Sequence, residues 1–382
     1  YYQRPDASHV EVDPAATSLA GWGARFNLAK QQGRFLFLAS FGALSPGFNP
    51  NDAGFQYTSS DKINISILPA YQWTKPGKVF RNVLLMGGPF RNYDFEGNKI
   101  WDGVLASLEG QFWNYWGFNM MVAYNPDSTS NTLTRGGPLA LNPAGYEVDL
   151  NVSTDSRKAV VLEGSGSTYR TPSVGQDVTG SLEFRWKPRP NFNISFEPGY
   201  SRSLSEIQWV TRVADAVMTP TYGARYVFGR IDQKMLSSEV RLNWIFDPRL
   251  SLQLYLQPFI AVGKYDRFKE LARPKAYAYN VYGDGTSTIV SANGLYTVDP
   301  DGAGPAAPFS FTDPDFNLKS LRGTMVLRWE YRPGSLIYLV WTQNRADFAN
   351  PGDFRLRRDF GDLLRAPGDN IFLVKVSYRW NM

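Results

Sequence analysis

The feature that most constrains the fold is an alternation of apolar and polar residues with a period of two. Leu252, Leu254 and Leu256 alternate with Ser251 and Gln253, and segments of the same kind recur along the whole chain. Successive side chains of a β-strand point to opposite faces, so each such segment predicts a strand with one apolar face and one polar face. The repeated pattern predicts an all-β antiparallel fold.

The polar positions of these segments include full charges near the middle of the strands, such as Arg241 and Lys375. A dry protein core does not tolerate unpaired charges, so we expect the polar face to line a hydrated lumen and the apolar face to contact lipid. The charged residues expected to line the lumen are Glu183, Arg185, Glu197, Glu239, Arg241, Arg328, Glu330, Arg332, Lys375 and Arg379.

These charges have two interpretations. Rings of charge can select the solutes that pass through a pore. Opposite charges on neighbouring strands can also form salt bridges that only fill and hydrate the lumen. Because both signs occur together, the second interpretation is favoured.

Aromatic residues make up 15% of the chain. Many of them fall at the ends of the predicted strands, beside short turns. A girdle of aromatic residues at the membrane interface is typical of outer-membrane barrels. The residues expected to form it are Trp73, Trp186, Phe192, Trp244, Phe246, Trp329, Tyr331, Tyr378 and Trp380.

The connections between the strands are of two lengths, which alternate as short turns and long polar loops. This pattern is typical of outer-membrane barrels, with short turns in the periplasm and long loops outside the cell. We therefore predict that residues 1–382 form one transmembrane antiparallel up-and-down β-barrel of about 16–18 strands, integral to a bacterial outer membrane. Residues 264–317 are expected to be an ordered extracellular loop, because the segment is rich in aromatic residues.

Enzymatic chemistry has little support. The chain has no Cys and a single His, His9. A Ser-His-Asp arrangement would have to use His9, and a polar residue on an edge strand at 9–13 is the simpler interpretation. We therefore predict no catalytic residues. The net charge of +5 includes no run of Lys and Arg, so nucleic-acid binding is not predicted either.

Four carboxylates in the longest loop are the candidates for a cofactor. Asp299, Asp301, Asp313 and Asp315 could supply the flexible oxygen ligands that Ca²⁺ accepts. The spacing of an EF-hand is missing, and Asp-Pro and Asp-Gly pairs are common turn formers. Turn formation is therefore the competing interpretation, and no other metal or cofactor is predicted.

Several longer motifs resemble one bacterial family. They are 44–48 (LSPGF), 90–98 (FRNYDFEGN), 135–138 (RGGP), 222–228 (YGARYVF), 268–274 (FKELARP), 327–331 (LRWEY) and 340–343 (VWTQ). The chain resembles the C-terminal β-barrel domain of unknown function that follows a secreted carbohydrate-binding family 9-like domain. The resemblance implies an outer-membrane location and a longer gene product, with a signal peptide, a binding module and further strands upstream. It implies no substrate and no catalytic residues.

Two functions follow as hypotheses. The first is a pore or transport component for a solute that the sequence does not identify. The alternative is a plugged barrel that anchors a carbohydrate-binding or partner-binding module at the cell surface. Outer-membrane lipid is the expected partner in both cases, and envelope proteins, surface proteins and glycans are further candidates. An enzyme ranks last.

Overall fold

The computed structural model describes residues 4–10, 13, 15–49, 51, 54 and 60–380. Almost all regular structure in these residues is β-strand. The bounds are β1 Gly23–Lys30, β2 Phe35–Leu44, β3 Lys62–Trp73, β4 Phe80–Tyr93, β5 Lys99–Phe112, β6 Gly117–Asn125, β7 Ser128–Ser130, β8 Ala140–Asn142, β9 Gly145–Ser153, β10 Val160–Thr171, β11 Gly175–Arg189, β12 Phe192–Ala214, a 3-10 helix Thr219–Thr221, β13 Ala224–Asp247, β14 Leu250–Leu271, β15 Tyr279–Val281, β16 Thr288–Ala292, β17 Leu295–Asp299, β18 Phe309–Thr312, β19 Phe316–Arg332, β20 Ser335–Asp347, α1 Leu356–Arg365 and β21 Gly368–Ser377.

One antiparallel sheet of 16 strands dominates the fold. Its strands follow the chain in the order β1 to β6, β9 to β14 and β19 to β21, and β15 pairs with the end of β14. Strands β7 and β8 form one small separate sheet, and strands β16, β17 and β18 form another. The predicted all-β antiparallel fold is confirmed. In the described part of the chain, β1 and β21 pair with one neighbour each, and the strand order does not close into a ring.

The register of the strands sets apolar residues opposite apolar residues and polar residues opposite polar residues. Leu242 lies opposite Leu254, and Asn243 lies opposite Gln253. A slip of one residue would exchange the two faces of a strand, so the alternation fixes the register. We call the face that carries Leu254 the apolar face and the face that carries Gln253 the polar face.

The apolar face is widely exposed. The exposed fraction is 53% for Ile67, 48% for Leu150, 52% for Leu182 and 46% for Phe196. Water-soluble monomers rarely expose an apolar surface that continues over many strands. An exposed apolar surface of this extent is typical of a face that contacts a partner or a membrane.

The two ends of the sheet differ. We call one end the turn side, because its seven connections are short: 31–34, 74–79, 113–116, 154–159, 190–191, 248–249 and 333–334. Gly334 adopts a left-handed φ of 78°, which lets the chain reverse between β19 and β20 in two residues. The other end, the loop side, carries the long connections 45–61, 126–144, 215–223, 272–315 and 348–367, together with two short ones, 94–98 and 172–174.

The dry core lies on the loop side, where β12, β13 and β14 extend to 23, 24 and 22 residues. Two clusters of buried residues cover opposite faces of β13. The first contains Val227, Ile231, Tyr265, Phe268, Tyr282, Val298 and Phe311, and the second contains Ile207, Ala224, Tyr226, Phe228 and Leu271. The sheet β16–β18 contributes Val298 and Phe311 to the first cluster.

The predicted loop at 264–317 differs from the structure at its start. Residues 264–271 continue β14 and pair with β13, so the connection spans 272–315. Residues 268–271 are buried, with Phe268 in the first cluster and Leu271 in the second, whereas Lys264, Asp266 and Arg267 are exposed. A shift in register against β13 falls within this stretch, so the simple alternation breaks down in the sequence. Inside the connection, β15 pairs with β14, and β16, β17 and β18 pair with one another.

A short helix in the connection before β21 was not predicted. The Asp359 side chain of α1 accepts a hydrogen bond from the Arg355 amide over 2.8 Å, which stabilises the first turn of the helix. Across the residues that the structure describes, no helix is both long and apolar enough to cross a membrane.

Candidate functional site

The charges predicted to line a lumen fall mostly on the polar face, where they pair along single strands. Arg185 donates from Nε to Glu183 Oε1 over 3.0 Å. Arg241 and Glu239 form the same kind of pair, and Tyr255 donates its hydroxyl to Glu239 over 3.1 Å. These pairs join residues of one strand, whereas the salt-bridge interpretation expects opposite charges on neighbouring strands; across the strands Glu183 lies opposite Glu163.

The other predicted lumen residues vary in their surroundings. Arg328 Nη2 lies 3.6 Å from Glu330 Oε2, whereas Glu197 lies opposite Glu239 in the register. The Lys375 ammonium is 5.9 Å from the ring of Tyr338.

Arg332 and Arg379 lie beside the β19–β20 turn and not in the middle of the sheet. Arg332 donates to the Tyr378 hydroxyl over 3.1 Å, and the side chain of Arg379 packs against Gly334. These two cations therefore belong to the turn side.

A buried ionic network on the loop side joins Arg225 to two carboxylates. Arg225 donates from Nη1 to Glu270 over 2.6 Å and from Nε to Asp215 over 2.6 Å. The side chain of Tyr282 donates to Glu270 over 2.8 Å, and that of Asn280 over 3.2 Å. Only 4% of Arg225 and 3% of Glu270 is exposed. The carboxylate of Glu270 thus has donors at both of its oxygens.

This network ties the β12–β13 connection to β14, because Asp215 lies in that connection and Glu270 in the strand. Burial, followed by the negative charge of Glu270, raises the pKa of the Tyr282 phenol far above its usual value, so Tyr282 stays a hydrogen-bond donor. The arrangement is suited to holding chain segments together, since every charge in it already has a partner.

The network could not be predicted from the sequence, because Arg225 and Glu270 are 45 residues apart in the chain. One signal was available. Arg225 lies in the motif at 222–228 and Glu270 in the motif at 268–274, and the register pairs these two segments through Val227 and Glu270.

Connections from distant strands meet on the loop side. The Lys275 side chain donates to Asn98 over 2.8 Å, and its amide donates to the carbonyl of Leu139 over 2.7 Å. Seven steps in the strand order separate β5 from β14, or about 34 Å across a flat sheet. Lys275 is four residues beyond the end of β14, a reach of about 14 Å. The sheet must therefore curve strongly.

The motif at 135–138 packs directly onto the motif at 222–228. A Cβ atom added to Gly137 would lie 2.2 Å from the ring of Tyr226, so only glycine allows this close approach. The Arg135 guanidinium lies 5.5 Å from the ring of Trp209 on β12. The connection between β6 and β9 thus covers the loop-side ends of β12 and β13.

His9 binds two carboxylates. Its Nε2 lies 2.7 Å from Asp61 Oδ1, and its Nδ1 lies 3.5 Å from Glu96 Oε1. Among the described residues no hydrogen bond joins this imidazole to a serine hydroxyl. Residues 8–10 form bends, which differs from the predicted edge strand, because the two carboxylates hold the ring against the loop side. Glu11 and Val12 of that predicted strand lie outside the described residues.

The four Asp side chains considered as calcium ligands accept hydrogen bonds from backbone amides. Asp299 accepts from the amide of Gly302 over 2.8 Å, and Asp313 accepts from the amide of Asp315 over 3.0 Å. Asp301 accepts from the amide of Ala306 over 3.0 Å. Asp315 accepts from the amide of Tyr265 over 2.6 Å and pairs with Lys264. These contacts agree with the turn-forming interpretation. Over residues 4–10, 13, 15–49, 51, 54 and 60–380, no group of three or more His, Cys, Asp or Glu is placed to hold a metal ion.

A polar recess of about 820 Å³ lies beside the long strands on the loop side. Arg202, Asp232, Lys269, Tyr277 and Tyr279 contribute to its lining. Arg202 pairs with Asp232 at 2.9 Å, and Lys269 pairs with a glutamate at 3.1 Å. The lining also contains Arg230 and Arg267, so the recess combines aromatic groups with more cations than acids.

Comparison with known protein families identifies the family of this chain. The model of a family described as Domain of unknown function (DUF5916) matches residues 3–380. A search of the curated proteins found no match. Since the family model covers nearly the whole sequence, from the first described strand to the end of the last, the chain belongs to the DUF5916 domain family.

Proposed function

We propose that this chain is an integral bacterial outer-membrane β-barrel domain that forms, or contributes to, a passage for a solute. The observation that carries the proposal is the contrast between the two faces of the same strands. One face exposes Leu150, Leu182 and Phe196, and the other carries paired charges such as Glu183 and Arg185. Lipid outside and water inside would satisfy both faces.

The dimensions of the strands support the proposal. A strand tilted in the membrane needs about 9–11 residues to cross it. β9, β10 and β11 have 9, 12 and 15 residues. Near the turn side, Trp186 contacts Phe192 at 5.7 Å and Phe192 contacts Trp244 at 5.5 Å between ring centroids. These aromatic residues lie where a membrane interface would be.

The edges of the sheet indicate how the barrel would close. No lipid-exposed strand edge is stable in a membrane, because its backbone groups would lack partners. β1 exposes 69% of Phe26, and β21 exposes 76% of Phe372. We infer that β1 and β21 pair with each other or with further strands. Pairing with further strands corresponds to the larger barrel that the resemblance implies.

A second function is favoured by a specific observation. The contacts of Lys275 with Asn98 and Leu139 show loops from distant strands packed against one another. Loops that meet in this way would narrow or plug the mouth of a barrel. A plugged barrel that anchors a carbohydrate-binding or partner-binding module is therefore the alternative.

Planar-bilayer recording separates the two functions. The intact protein and a variant without residues 284–310, which form most of the small sheet β16–β18, would be reconstituted in parallel. Stepwise current from the intact protein would support a pore. Current from the shortened variant alone would indicate a plug, and insertion without current in either protein would support the anchor. Failure of the intact protein to enter liposomes would contradict the barrel itself.

Cysteine labelling tests the direction of the chain in the membrane. Asn293 lies at the exposed β16–β17 turn, and the natural sequence has no Cys to interfere. We expect Asn293→Cys to react with a membrane-impermeant maleimide on intact cells. A Lys75→Cys control on the turn side should react only after the outer membrane is permeabilised. The opposite pattern would place the loops in the periplasm.

A further inference from the structure

Charge is divided unequally between the two ends of the sheet. The turn-side segments, taken as the seven short connections with two strand residues on each side and residues 378–380, contain eleven cations and two acids. The cations are Lys30, Arg34, Lys75, Lys78, Arg81, Arg157, Lys158, Arg189, Arg249, Arg332 and Arg379, and the acids are Asp155 and Asp247.

The described residues of the loop-side connections, taken with the same two flanking residues, have the opposite balance of sixteen acids and eleven cations. The acids are Asp61, Asp94, Glu96, Asp127, Asp215, Glu270, Asp284, Asp299, Asp301, Asp313, Asp315, Asp347, Asp353, Asp359, Asp362 and Asp369. The cations are Lys62, Lys99, Arg135, Arg170, Arg225, Arg273, Lys275, Arg355, Arg357, Arg358 and Arg365. The small net charge of +5 thus conceals a strongly polarised molecule.

Most turn-side cations have no carboxylate partner among the described residues. Arg157 pairs with Asp155 at 2.7 Å, but Lys75 and Lys78 are exposed and join no ion pair there. The guanidinium of Arg81 stacks 3.9 Å above the ring of Tyr115. A concentration of uncompensated cations attracts an anionic partner.

An apolar recess of about 490 Å³ adjoins two of these cations. Its lining includes Trp73, Phe80 and Phe118, together with Lys75 and Lys78. The recess lies on the apolar face, because its wall continues the exposed stripe of β3 that contains Ile67 and Trp73. Apolar walls and neighbouring ammonium groups match the two parts of a phospholipid, the acyl chain and the phosphate.

We propose that the turn side binds anionic phospholipid headgroups, with one lipid held by the recess and the ammonium groups of Lys75 and Lys78. This inference rests on the proposed membrane function and adds the class of lipid. A phospholipid fits better than an acidic protein, since the recess opens onto the face that lipid chains would cover. Juxtamembrane cations are attracted to anionic lipids, and lysine binds phosphate as a point charge.

The test compares two matched pairs of substitutions in the full chain. Lys75→Gln with Lys78→Gln removes the proposed headgroup contacts. Arg273→Gln with Arg357→Gln removes two exposed loop-side cations that also join no ion pair in the described structure. Phosphatidylglycerol and phosphatidylcholine would be titrated into each reconstituted protein, and bound lipid counted by native mass spectrometry. Circular dichroism and liposome insertion would verify that each variant folds.

We expect the lysine variant to lose about tenfold in phosphatidylglycerol affinity, with phosphatidylcholine unchanged, and the arginine variant to keep the original preference. Equal losses in both variants, or no preference of the original protein for phosphatidylglycerol, would overturn the proposal while the barrel stands. Loss of binding to a polyglutamate probe without loss of phosphatidylglycerol would assign the surface to an acidic protein instead. Failure to insert would contradict the proposed function itself.

Discussion

The turn side and the loop side of the sheet differ in how far their apolar and charged side chains are covered by the rest of the chain. On the turn side, Trp244 and Phe196 remain exposed and Lys75 has no carboxylate partner in the described structure. On the loop side, Arg225 and Lys319 are buried, and each is paired with a carboxylate. The loop side is therefore built like the core of a water-soluble protein. The turn side leaves apolar side chains exposed, and under the proposed function lipid would cover them.

The largest expected effect tests whether the loop side is self-sufficient. Arg225→Met removes the cation of the buried network and leaves Glu270 as a buried charge without its ionic partner. Breaking a buried ion pair in this way costs about 3–5 kcal/mol. We expect a lower melting temperature and faster hydrogen exchange over 265–282, measured in detergent.

The matched control is Arg202→Gln, which breaks an ion pair with Asp232 on the same long strands. Both of its side chains are partly exposed, at 45% and 27%. The free energy of unfolding should fall by less than about 1 kcal/mol. Equal destabilisation by the two variants would contradict the contrast between buried and exposed pairs.

The next effect tests whether lipid covers the apolar face. Leu254→Arg places a charge on that face, whereas Gln253→Arg places the same charge on the polar face. An arginine facing lipid near the membrane centre costs about 2–4 kcal/mol. We expect Leu254→Arg to assemble poorly in liposomes and Gln253→Arg to assemble normally. Equal assembly of the two proteins would count against a transmembrane barrel.

A smaller effect concerns the packing of the loop side. Gly137→Ala forces a methyl group into the ring of Tyr226 and should cost about 1–3 kcal/mol. Gly164→Ala is the control, because its new methyl would lie 3.9 Å from Leu182, an ordinary contact. Thermal unfolding should separate the two variants. If both melt like the parent protein, the connection between β6 and β9 does not hold the loop side together.

The smallest effect is a local dependence on pH. Hydrogen bonds, the largest from the Ser8 side chain, lower the pKa of Glu96 from 4.5 to about 2, against a smaller opposing effect of burial. The hydrogen bonds between Ser8 and the Glu96 carboxylate therefore stabilise the folded state above pH 4.5, and this contribution is lost as the pH falls towards 2.

Hydrogen exchange of residues 4–10 measures this loss, after correction for the intrinsic effect of pH on exchange. We expect protection to fall between pH 4.5 and 2, the range set by the two pKa values. Glu96→Gln should abolish the step. A step that persists in this variant would assign the pH dependence to another group.

The alternation of residues was sufficient to predict the strands whose two faces differ. Leu254 and Gln253 lie on opposite faces as expected, and the short turn at 248–249 lies where Pro248 interrupts the pattern. The prediction failed at 264–271, where a shift in register against β13 interrupts the alternation and residues 268–271 are buried. The alternation of residues also could not predict the Arg225 network, because Arg225 and Glu270 come together only after distant segments of the chain pair. Of the ten charges predicted to line a lumen, Arg332 and Arg379 lie beside a turn, since the strand pattern continues to its last residue without marking where the sheet ends.

The order of the strands has a consequence for folding. Nearly every strand pairs with the next strand along the chain, so most of the sheet can form hairpin by hairpin from local contacts. Two pairings in the large sheet skip strands, β6 with β9 and β14 with β19, and the second closes the longer loop, the connection at 272–315. Loop closure costs more entropy as the loop grows. If β16, β17 and β18 pair early, they shorten the flexible part of that loop, and the small sheet then serves as a clamp that brings the two halves of the chain together.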